Sequence, residues 1–66
     1  MSTLSETLSS SALSAAEYDT TDEVLTITFS NGSTATYSGV PQEIYDGLVR
    51  SASPGRYYWG NIRDRF

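Results

Sequence analysis

Val24-Leu25-Thr26-Ile27-Thr28-Phe29, followed by Ser30-Asn31-Gly32-Ser33 and then Thr34-Ala35-Thr36-Tyr37, sets the architecture of this chain. The first six residues place Leu25, Ile27 and Phe29 on one side and Thr26 and Thr28 on the other. That is the period of a strand with one buried face. Asn31-Gly32 then marks a hairpin, with Thr34 to Ser38 as the returning strand. Two registers compete. A two-residue loop sets Phe29 opposite Thr34 and turns Tyr37 to the threonine face. A three-residue loop with Gly32 left-handed pairs Phe29 with Ser33, Ile27 with Ala35 and Leu25 with Tyr37. It gathers every large apolar side chain except Val24 on one face, so a bulged hairpin is expected.

Downstream, Gly39-Val40-Pro41 breaks the strand and opens a helix with proline in its first turn. Val40, Ile44, Tyr45, Leu48, Val49 and Ala52 recur at helical spacing and mark its packed face. Glu43 and Arg50 sit where the helix dipole favours them. Gly47, in the middle, suggests the close approach of another backbone. Ser53 then reads as an N-cap with Pro54 in the first position of a second helix, which carries Tyr57, Tyr58, Trp59 and Ile62 and ends near Phe66. Upstream, Ser11 to Tyr18 alternates weakly and reads as a short strand, although its alanines suit a helix equally well. Residues 1–10 read as a flexible Ser/Thr-rich arm; Leu4 and Leu8, four apart, also fit a short docked helix. The expected fold is α+β. A small antiparallel sheet of two to three strands is covered on one face by two short helices, in a single domain over residues 11–66.

Composition narrows the chemistry. The 66 residues contain no cysteine, histidine or lysine. Disulfides, thiolate zinc sites, imidazole bases and Schiff-base amines are thereby excluded, leaving carboxylates, hydroxyls and arginine. A noncatalytic role is expected, with no cofactor. No apolar run reaches the length of a membrane span and residues 1–10 do not read as an export signal, so a cytoplasmic protein is expected. The net charge of −4 is unevenly spread, with seven acids and no base in residues 1–49, and Arg50, Arg56, Arg63 and Arg65 against Asp64 thereafter. A uniformly basic nucleic-acid binder is excluded; a basic end on an acidic body is not.

Several short motifs, taken in order, resemble the KTSC domain family. They are Ser10-Ser11-Ala12-Leu13 near Tyr18-Asp19, Leu25-Thr26-Ile27-Thr28-Phe29, the turn glycine, and Tyr37 with Gly39-Val40-Pro41. The tail adds Ala52-Ser53-Pro54-Gly55-Arg56-Tyr57-Tyr58, then Ile62-Arg63 and a terminal aromatic. The resemblance runs from Ser10 to Phe66. The family is found at the C-terminus of some lysyl-tRNA synthetases and as small free-standing bacterial and phage proteins. Its function is not established; RNA binding is suggested by the synthetase context. The family's central Tyr-x-Tyr stands here as Ala35-Thr36-Tyr37, so one ring of any stacking platform there is missing.

Three candidate sites follow. At Ser53-Pro54-Gly55-Arg56 a helix start favours anions, Gly55 permits close approach, and Arg56 offers a planar fork to phosphate or carboxylate. Arg63, seven residues on, extends the patch. The plainer reading makes Ser53 a cap and the arginines solvated. Beside them, Tyr57, Tyr58 and Trp59 interleave with arginine as in base-stacking or protein hot-spot surfaces. Three consecutive rings spread too widely round a helix for all to be buried, so Tyr58 and Ile62 are assigned to the core and Tyr57 or Trp59 to the surface. Third, Glu17, Asp19, Asp22 and Glu23 could hold Mg²⁺ or Ca²⁺, but their spacing matches no calcium loop and a solvated turn is expected instead.

The ligand-binding residues expected are Ser53, Gly55, Arg56, Tyr57 and Arg63, with no catalytic or metal-ligating set. RNA or another nucleic acid is the leading partner. The alternative is a host or virion protein met by the acidic surface, as for a phage-encoded or accessory inhibitor or virion component. Homo-oligomers are compatible with so small a core.

Overall fold

The computed structural model describes residues 3–8, 10–63 and 65. Four strands, β1 (Thr3–Thr7), β2 (Leu13–Asp19), β3 (Val24–Phe29) and β4 (Thr34–Tyr37), form an antiparallel meander in the order β1-β2-β3-β4. Two helices, α1 (Gln42–Arg50) and α2 (Pro54–Asn61), follow and pack on the sheet's apolar face. The hairpin has the bulged register. Leu25 pairs with Tyr37 and Ile27 with Ala35, the Phe29 N–H donates to the Ser33 carbonyl, and Gly32 is left-handed at φ 92°.

The sheet has four strands rather than two to three. The expected arm is, where described, the edge strand β1. A separation of four fits two strand periods as well as one helical turn. Leu4 pairs with Tyr18 on the inner face, and Leu8 is buried with its N–H donating to the Ser14 carbonyl. Those two side chains reach the core and hold the segment.

β2 alternates weakly for a definite reason. Leu13 pairs with Phe29 and Ala15 with Thr28, which leaves Ser14 bulged. The extra residue shifts the phase, so Leu13, Ala16 and Tyr18 all face inward. The Ser14 hydroxyl donates to the Thr28 carbonyl at 3.3 Å.

The core joins these residues to Leu25, Ile27, Val40, Tyr45, Leu48, Tyr58 and Ile62. Gly39, left-handed at φ 70°, swings the chain across the end of the sheet. Val40 is then pinned from both sides: its N–H donates to the Glu23 carbonyl, and the Tyr18 hydroxyl donates to its carbonyl. Tyr18 stacks on Tyr45 with ring centroids 5.5 Å apart. Burial above all, then nearby carboxylates (Glu23, Asp19 and Asp46 for Tyr18, Glu6 and Asp46 for Tyr45), raises both phenols above their ordinary value of 10.0. On the other side, Tyr58 packs edge-on against Phe29 and Tyr37, and its hydroxyl meets that of Tyr37 at 2.6 Å.

The helices differ from expectation in detail. Pro41 is the N-cap of α1, outside the helix proper. Ala52 is exposed, because α1 ends at Arg50 and the chain turns away from the packed face. Gly47 faces a side chain and not a backbone: a Cβ there would overlap the Tyr57 hydroxyl oxygen and ring. α2 stops at Asn61, and Phe66 lies outside the described residues.

Candidate functional site

α2 begins where the chain leaves Ala52, and Pro54 in its first position presets the helical backbone. The Ser53 carbonyl accepts the Tyr57 N–H at 3.1 Å, but the Ser53 side chain makes no cap hydrogen bond. Capping therefore does not account for its hydroxyl. No acid stands in the first turn, and Arg56 adds a positive charge to the positive end of the helix dipole. This end of α2 is left electropositive.

The start of α2 faces the β1–β2 connection across an open depression of about 440 Å³. Ser10, Ser11 and Ala12 form one bank; Ala52 to Arg56 and Trp59 form the other. Backbone and hydroxyl bonds set the first bank: Ala12 N–H donates to Ser10 Oγ, Ser30 Oγ to the Ser11 carbonyl, and Ser30 N–H to the Ala12 carbonyl. The hairpin loop thus fixes the serine bank. Gly55 closes the floor, where a Cβ would lie 3.5 Å from both Ala12 Cβ and Ser10 Oγ. An alanine fits there at ordinary contact distance, so the depression can be narrowed without forcing the backbone.

Of the five residues expected to bind ligand, the structure brings Ser53, Gly55 and Arg56 together on this depression. Arg63 joins through Trp59, its guanidinium carbon lying 3.9 Å from the centre of that ring. Tyr57 is different. It is half-buried with its ring against Gly47, so it serves the seam between the helices and not this surface. The surface aromatic is Trp59, 59% exposed, the only large hydrophobic residue so placed among the described residues. Among the described residues, neither Arg56 nor Arg63 is paired with a carboxylate. Sequence names Trp59 only as one of two candidate surface rings and offers Tyr57 as the binding residue, and it does not offer Ser10 and Ser11 at all. Helical spacing links Arg56, Trp59 and Arg63, whereas the serine bank depends on chain closure that no local pattern records.

Tyr37 lies on the inner face of the sheet, as does Ala35 opposite Ile27. A second tyrosine at position 35 would also face the helices, so base stacking on this motif has no route through the outer face of the sheet. The acids of the β2–β3 turn have structural work. Asp19 Oδ1 accepts the N–H groups of Thr21 at 2.8 Å and Asp22 at 3.1 Å, and Glu23 is left-handed at φ 55°. Among the described residues, no group of three or more acids, cysteines or histidines converges to hold a metal. No helix among them is long and apolar enough to cross a membrane.

Comparison with known proteins agrees with this fold. The family model described as KTSC domain matches residues 9–66. A protein of Tsukamurella paurometabola is 40% identical over 57 residues, which span 86% of this chain and 85% of that one. The crystal structure of the KTSC domain protein YPO2434 from Yersinia pestis superposes with a TM-score of 0.90 at 29% identity, over 98% of this chain and 92% of that one.

Proposed function

This chain belongs to the KTSC domain family, and we propose that it acts as a noncatalytic binding module that meets nucleic acid along one face of α2. The observation that carries this reading is the line Arg56, Trp59, Arg63. It is an exposed ring with the Arg63 guanidinium over it and Arg56 on the same depression, both arginines free of carboxylate partners among the described residues, in the arginine-bearing last segment of an acidic molecule. Guanidinium groups match phosphate geometry, and an exposed ring offers a sequence-tolerant contact. The overall negative charge opposes a polyanion at long range, so binding concentrates on this local face, where the arginine–phosphate contacts weaken as salt rises.

The test is fluorescence anisotropy with a labelled oligouridylate across a salt series. Affinity should fall as salt rises, and Arg56→Ala with Arg63→Ala should lower the slope of log K against log salt by about 1.4, at ~0.7 per phosphate contact. Binding indifferent both to salt and to the double substitution would discard the reading.

A second reading has its own observation. Glu17, Asp19 and Asp22 line a shallow depression of about 330 Å³ with Thr3, Val24 and Thr26 on the outer face of the sheet, a surface suited to a basic protein. Charge reversal at Glu17 and Asp22 should then weaken a complex that Arg56→Ala leaves intact.

A further inference from the structure

We infer that the α2 face selects unpaired bases, with Trp59 as the platform on which one base of a single strand stacks. This rests on the reading above that the ligand is nucleic acid, and it specifies which form.

Trp59 is held for stacking. Arg63, one turn further on, lies over the ring at 3.9 Å from its centre and fixes its plane. Trp59 itself lines the open depression with Gly55 and Arg56, which precede it on α2. A base entering there meets the aromatic surface on one side, with the Arg56 guanidinium and the hydroxyls of Ser10, Ser11 and Ser53 nearby for phosphate or sugar.

A duplex cannot use this arrangement in the same way. Paired bases present only their edges in the grooves, and stacking on a protein ring requires opening a base step. A single strand has already exposed its base faces. Arg63 lies over the ring and Arg56 lines the same depression, so the arginines can meet phosphate in either form, and the ring decides the preference.

Trp59 is the single tryptophan of the chain, so its emission reports on this site alone. Titration with an oligouridylate should quench that emission, and a duplex RNA of the same length should bind about tenfold more weakly. Trp59→Ala, at an exposed position, should keep the far-ultraviolet circular dichroism unchanged. It should lower single-strand affinity about tenfold while moving duplex affinity less than twofold. Equal, salt-sensitive binding of both forms with unaltered emission overturns the stacking inference and leaves nucleic-acid binding standing. Failure of both forms to bind at low salt overturns the stacking inference and the nucleic-acid reading together.

Discussion

The two helices are close in length and opposite in design. Apart from Gly47, α1 follows its local rules: Glu43 in the first turn, Arg50 in the last, and Tyr45 and Leu48 buried on one face. α2 departs from them. It has a cation in its first turn, no base in its last, glycine at 55 and 60, and an exposed tryptophan. Both glycines lie in end turns of an eight-residue helix, and neither adds a packing side chain. α2 is therefore held by Tyr58, Ile62 and Tyr57 against the rest of the molecule more than by its own propensity. Local rules broken on a solvent face are the usual mark of a surface shaped for something other than folding. α1 builds the domain, and α2 displays a face.

Substitutions can break or sharpen that contrast. Leu48→Ala, at a fully buried position on α1, should cost about 3 kcal/mol in urea denaturation, a large part of the stability of so small a domain. If it costs less than 1 kcal/mol, α1 is not the structural helix. Gly47→Ala should cost about 1–2 kcal/mol, because overlap with the Tyr57 ring outweighs the better helix propensity of alanine. Tyr57→Ala should remove most of that penalty in a double-mutant cycle, and an additive result would deny the contact. The smallest effect belongs to the display face. Trp59→Ala should change stability by no more than about 0.5 kcal/mol, and a larger loss would make the ring part of the core.

Parts of this molecule were open to reading from residue order. The hairpin was legible because Leu25, Ile27, Phe29 and Tyr37 admit one register that keeps them together, and Gly32 supplies the left-handed turn it needs. β1 was not, because Leu4 and Leu8 fit two periods at once and only pairing with β2 decides between them. β2 was blurred by the bulge at Ser14, which places Leu13 out of step with Ala16 and Tyr18. Within the site, Arg56 and Arg63 stood out by charge and spacing. The choice between Tyr57 and Trp59 did not, since it depends on a glycine in the other helix. Ser10 and Ser11 approach α2 only through the closed sheet and the Ser30 bonds.

That glycine has one more consequence, in rotation. Successive helical side chains step by about 100°, so residues two apart point nearly opposite ways. Once the phenol at 57 is seated in the notch at 47, the roll of α2 about its own axis is locked, and the indole at 59 must swing outward. A missing side chain on one helix thus sets the angle at which its neighbour shows a ring to the surroundings, without touching that ring.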